Sequence, residues 1–145
     1  MKKQNYNTTI NAPKEKVWEL LWGQTSYPEW TAAFAEGSSV ETDWQEGSKA
    51  IFGDGKGDGM IARIAKRTEN EFLSIEHLGM LLKGEEIMDG PKVDSWKGAH
   101  ENYTLSETNG ITTLNVDMDV TDDMQEYFNK TWPKALEKLK AMAER

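Results

Sequence analysis

The chain has 145 residues, and 25 acidic against 17 basic side chains give a formal charge of −8. That balance leaves no clustered basic face for nucleic acid, and the absence of cysteine excludes a disulfide scaffold, thiolate catalysis and cysteine-ligated metal. No run approaches the roughly 20 apolar residues of a membrane span, and MKKQNYNTTI has no apolar leader segment, which together predict a cytoplasmic protein without a membrane span.

Residues 4 to 11 alternate, with Tyr6, Thr8 and Ile10 on one side, and read as a half-buried strand. Asn11 is placed to cap a short amphipathic helix with Pro13 at its start and Val17, Trp18, Leu20 and Leu21 as its stripe. A second short helix is expected over Thr25 to about Ala33, restarted by Ser26, Tyr27 and Pro28. From Gly37 to Ile87 the pattern shortens to an antiparallel meander. Val40, Thr42 and Trp44 form a hairpin with Ala50, Ile51 and Phe52 across Gln45 to Ser48. A glycine-rich connection, Gly53 to Gly59, leads to a strand with Met60, Ala62 and Ile64 on one face. The next strand, 72 to 78, puts Leu73, Ile75 and His77 on one side, and 79 to 98 reads as an irregular segment around Pro91 and Trp96. Strands 99 to 106 and 111 to 120 close the sheet through Thr108-Asn109-Gly110. Thr121 or Asp122 then caps a helix to about Ala143, with Met124, Phe128, Trp132, Leu136, Leu139 and Ala143 as its stripe and a kink expected at Pro133.

These elements leave few ways to bury the apolar face of the sheet, so the terminal helix must lie across it. The expected architecture is an α+β helix-grip fold over residues 1–145. A curved antiparallel sheet of about seven strands wraps around the long C-terminal helix, with two short helices after the first strand. Two such surfaces diverge somewhere along their length, so a cavity between them is a geometric expectation. Six Trp, four Tyr, four Phe and seven Met supply large apolar side chains to line it.

Ile10-Asn11-Ala12-Pro13-Lys14-Glu15-Lys16-Val17-Trp18 resembles the "I-x-A-P-x-E-x-V-W" opening of START-related (SRPBCC, birch-pollen-allergen-like) domains, and Pro28-Glu29-Trp30 sits where these carry a Trp-bearing second helix. Trp132 to Leu139 resembles the "G-W-x-x-x-L-x-x-L" closing helix of the branch named after the activator of the heat-shock-protein-90 ATPase, with Lys130-Thr131 in place of the glycine. Trp44 to Gly47 and Glu101-Asn102-Tyr103 are similar to bacterial members of that branch. The resemblance covers essentially the whole chain. It implies a cavity that takes lipids, sterols, polyketides, hormones or other apolar molecules, with catalysis in some branches only. The name of the branch is a label and implies no chaperone activity.

The residues themselves exclude several chemistries. Gly55-Lys56-Gly57 breaks the Walker spacing and supplies no hydroxyl for magnesium, and a calcium loop from Asp54 fails at Lys56 and Ala65. Two histidines, His77 and His100, cannot make a three-His metal site, and no Gly-x-Ser-x-Gly occurs. The strand registers put His77 beside Leu73 and Ile75, and Glu101 beside Ala99, Tyr103 and Leu105, so His77, Glu101 and Tyr103 face the expected cavity. Such a cluster has three readings: a satisfied internal network, a site that orients a ligand's polar end, or a general acid–base pair. Trp18, Trp30, Trp132, Phe128 and Met118 read first as core, while Trp96 lies where a segment would cover an entrance. The cavity candidates are Ile64, Ile75, His77, Trp96, Glu101, Tyr103, Val116, Met118, Phe128, Trp132 and Leu136. No catalytic residue, metal or cofactor is expected. The sequence therefore points to binding of a small apolar or amphipathic molecule. A cyclase-like or hydrolase-like enzyme in the same cavity and a protein-partner or chaperone-associated module are the alternatives.

Overall fold

Asn109 and Gly110 both adopt positive φ, 54° and 79°, as a two-residue hairpin turn between right-twisted strands requires. They fold β7 (His100–Thr108) back on β8 (Ile111–Val120). The computed structural model describes residues 1–145 and builds the rest of the sheet around this hairpin. β1 (Lys2–Ile10) pairs with the outer edge of β8, and β5 (Phe72–Leu82), β4 (Gly59–Thr68), β3 (Lys49–Gly53) and β2 (Ser39–Glu41) follow on the other side of β7. All pairings are antiparallel, and β6 (Glu85–Ile87) pairs with the end of β5. Between β1 and β2 lie α1 (Lys14–Trp22), α2 (Ser26–Trp30) and a single 3₁₀ turn at Thr31–Ala33. α3 (Asp122–Ala143) closes the chain and crosses the concave face of the sheet. This is the α+β helix-grip fold.

Three local expectations differ from the structure. Asn11 does not cap α1; Pro13 holds the N-cap position, and the Asn11 N–H donates to the Glu144 carboxylate at 2.8 Å. Trp44 leaves the strand, because the Thr42 hydroxyl and the Asp43 carboxylate accept the N–H groups of Trp44 and Gln45, and φ of Trp44 turns to 61°. Such local side-chain bonds compete with the strand ladder. Two register shifts interrupt the β4–β5 pairing, one skipping Leu78 of β5 and the other Ala65 of β4, while Met60, Ala62 and Ile64 keep one face toward the cavity and core. Residues 79 to 87 are regular: β5 runs on to Leu82 and turns through Lys83-Gly84 into β6. Only 88 to 98 is a chain of turns, anchored by the fully buried Val93. α3 continues unbroken through Pro133.

The packed core lies under the C-terminal half of α3. Ala135, Leu136, Leu139, Met142 and Ala143 are buried together with Val17, Trp18 and Leu21 of α1 and with Ile10, Leu105, Leu114 and Val116 of the sheet. Small residues at 135 and 143 let the helix sit close to its neighbours. Buried Thr112 fixes the chain between β1 and α1, its hydroxyl donating to the Ala12 carbonyl at 2.6 Å.

Candidate functional site

The N-terminal half of α3 behaves differently. From Asp122 to Lys130 no residue is buried, and Met124 and Tyr127 are 38% and 41% exposed. Trp132 marks the change. Its ring stacks on Tyr6 with centroids 5.9 Å apart and meets Phe34 edge-on at 5.0 Å and Trp30 at 6.1 Å. Beyond this aromatic plug, helix and sheet separate around a half-enclosed cavity of about 740 Å³. Such a volume is that of a small-molecule site. α2 and the following turn supply Tyr27, Trp30, Thr31 and Phe34; the sheet supplies Phe52, Met60, His77, Met80, Glu101, Tyr103 and Met118; and the 88–98 segment supplies Lys92 and Trp96.

The polar floor follows from strand register. Ile75 lies opposite Glu101 and Leu73 opposite Tyr103. The strands continue past this ladder, with the His77 N–H donating to the Ala99 carbonyl and the Gly98 N–H to the His77 carbonyl, both at 2.8 Å. His77 is thereby set beside Glu101, Nε2 to Oε1, at 3.3 Å, and the Tyr103 hydroxyl donates to Oε2 of the same carboxylate. The two charged-type side chains are 16% and 19% exposed. Burial, reinforced by the Glu101 charge, holds the phenols of Tyr103 and Tyr27 well above the usual tyrosine range, so both remain neutral. Farther out, burial pushes the Asp119 carboxyl up, but the His100 N–H and the Lys3 ammonium outweigh it and hold the group below the usual carboxylate range.

Of the residues singled out in the sequence, His77, Trp96, Glu101, Tyr103, Met118, Phe128 and Trp132 line this cavity. Ile64, Ile75, Val116 and Leu136 do not; they are buried in the packed core, and Leu136 also borders a small groove beside Tyr6 and Lys140. The sequence reading missed Tyr27, Phe34, Phe52, Met60 and Met80 as lining residues. Tyr27, Trp30 and Phe34 recur at helical spacing, which was the available signal. Trp96 is fixed by its indole N–H, which donates to the Lys92 carbonyl at 2.7 Å.

The glycine run has a structural job. The Asp54 carboxylate accepts the N–H groups of Lys56 and Asp58 at 2.7 and 3.2 Å, occupying donors that a phosphate would need. Gly59 leaves no room for a side chain, since a Cβ there would collide with the Phe52 carbonyl. No group of three or more His, Asp or Glu side chains is placed to hold a metal ion, and no helix is long and apolar enough to cross a membrane.

Comparison with known proteins gives the fold a family setting. The family model described as "Activator of Hsp90 ATPase homolog 1-like protein" matches residues 11–144. No curated protein matches the sequence. Among solved structures, a protein from Cytophaga hutchinsonii is 26% identical with a TM-score of 0.72, covering 98% of this chain and 93% of that one. The protein described as the Aha1 dimer from Colwellia psychrerythraea is 20% identical with a TM-score of 0.70, covering 99% and 97%. DynU16, a protein in the dynemicin biosynthetic locus, is 16% identical with a TM-score of 0.71; the match covers 96% of this chain but only 46% of DynU16.

Proposed function

The chain belongs to the Activator of Hsp90 ATPase homolog 1-like family, and on that footing we propose that it binds a small apolar or amphipathic molecule between the sheet and the N-terminal half of α3. The observation that carries this reading is the cavity of about 740 Å³ walled by aromatic and methionine side chains, with one hydrogen-bonded carboxylate at its floor. Apolar walls provide the affinity, and a few placed polar groups fix orientation. Helix and sheet together shield such a guest on one side, and Met124 and Tyr127, lining residues that are also exposed to solvent, flank its way in.

Two measurements test the reading. Native mass spectrometry of protein from its own host is expected to show co-purified organic material. The neutral dye Nile red is expected to bind saturably at one equivalent, and Met80→Trp, which fills the cavity from its wall, abolishes that binding while circular dichroism stays unchanged. Unaltered dye binding in the filled variant contradicts the proposal.

A second reading is favoured by one specific feature, the Tyr103–Glu101–His77 chain inside an apolar cleft. A base held against a histidine is suited to proton transfer on an activated carbonyl, as in a cyclase-like or hydrolase-like reaction. Turnover of an activated ester that His77→Ala abolishes supports that chemistry; turnover equal in both proteins removes it.

A further inference from the structure

We infer that the guest of this cavity is an amphipathic amine, an apolar body carrying a protonated nitrogen that pairs with the Glu101 carboxylate. The inference rests on the reading of the cavity as a small-molecule site and assigns the class of molecule.

Hydrogen-bond bookkeeping leads there. An ionised carboxylate has about four acceptor positions and no donor. Tyr103 occupies one on Oε2 and His77 Nε2 one on Oε1, which is the pattern of an ionised group with a donor on each oxygen. With the imidazole proton assigned to Nε2, Nδ1 is left as a bare acceptor, covered by protein and without a partner. The indole and Thr31 donors around the cavity are spent or sealed, while the Lys92 ammonium and the Tyr27 hydroxyl are not. The Trp30 and Trp96 indoles donate to the Leu21 and Lys92 carbonyls, the Thr31 hydroxyl donates to the Tyr27 carbonyl, and Trp132 Nε1 is covered. What remains open on Glu101 itself is acceptor capacity. A protonated amine supplies both missing complements, a positive charge and several N–H donors.

The surroundings favour the same sign. Asp54, Asp119 and Asp123 line the cavity against a single cationic side chain, Lys92. Asp119 is held by Lys3 and Asp54 by its own loop, so neither is paired with Lys92. An anionic head group entering here would approach Glu101 as a like charge in a poorly hydrated space, which is unfavourable. A neutral hydroxyl would donate one hydrogen bond and leave the charge unbalanced. The walls complete the match, because the ring faces of Tyr27, Phe52 and Trp132 attract cations and repel anions.

The test is a head-group series on one apolar chain. Dodecylamine, dodecanol and dodecanoate, each below its micelle concentration at pH 7, compete with Nile red for the protein. Dodecylamine is expected to bind about ten-fold or more tightly than the other two. Glu101→Gln reduces that preference to within about two-fold, and Asp123→Asn at the rim leaves it intact. Equal affinity of the three probes, or preference for dodecanoate, overturns the amine assignment while Nile red binding upholds the cavity. Failure of Nile red and all three probes to bind overturns both. A preference that survives in Glu101→Gln shows that the rim field, not the floor carboxylate, selects the amine, and the assignment to Glu101 falls. Should that variant not fold, nuclear Overhauser contacts in the wild-type complex decide. Contacts from the amine α-methylene to Tyr103 and Phe52 support the pairing; contacts to Tyr127 alone overturn it.

Discussion

The two halves of α3 share one helix and one sheet, yet one builds the core and the other a cavity. From Trp132 onward the helix buries Ala135, Leu136, Leu139, Met142 and Ala143 against α1 and the sheet, whereas from Asp122 to Lys130 it buries nothing. The difference lies in what faces each half. α1 fills the space under the C-terminal half with Val17, Trp18 and Leu21, while the N-terminal half faces α2 and the outer strands across open space. The aromatic plug of Trp132, Tyr6, Phe34 and Trp30 seals the packed side. Packed core and cavity are thereby placed at opposite ends of a single element, and a helix can stand off its sheet without costing the fold its core.

That division is open to attack by mutation. Leu139→Ala, at a fully buried position, is expected to cost about 2–5 kcal/mol in urea unfolding. Phe128→Ala, which lines the cavity, costs about 1 kcal/mol or less but weakens Nile red binding. Equal losses of stability would erase the distinction between the halves. Thr112→Val sharpens the packed side, since it strands the buried Ala12 carbonyl and is expected to cost about 1–3 kcal/mol by the same measurement.

Smaller effects belong to the open side. The Asp119 carboxyl is held below its unfolded range, so its contribution to stability is fully present above that range. It fades as pH falls through the lowered folded value. Asp119→Asn is accordingly destabilised relative to wild type at pH 7 by no more than about 1 kcal/mol, and the gap closes as the solution is acidified. A gap that widens in acid contradicts the pairing with Lys3 and the His100 N–H. Tyr127→Ser, at the exposed rim, changes thermal stability by no more than about 0.5 kcal/mol, and a larger loss would place Tyr127 in the core.

Much of this was legible in the residues, for identifiable reasons. The alternation of Leu114, Val116, Met118 and Val120 gives β8, Asn109-Gly110 gives its hairpin, and matching alternation in β5 and β7 brings His77, Glu101 and Tyr103 together. What escaped depended on departures from a simple period. One bulge falls in β5 and one in β4, the turn bonds of Thr42 and Asp43 pull Trp44 out of its strand, and β5 pairs onward with β6 where glycines suggested a loop. Ile64, Ile75, Val116 and Leu136 share the apolar character of lining residues. Periodicity identifies the face that is buried and is silent on where along that face the helix lifts away.

The most direct test uses methionine methyls as reporters on both halves. Met60, Met80, Met118 and Met124 line the cavity, and Met142 is buried in the packed core. In carbon–proton spectra of protein labelled at methionine methyls, titration with Nile red is predicted to shift the resonances of Met60, Met80 and Met118 and leave Met142 in place. Shifts at Met142 as large as theirs, or none at any of the four lining residues, would contradict a cavity confined to the N-terminal half of α3.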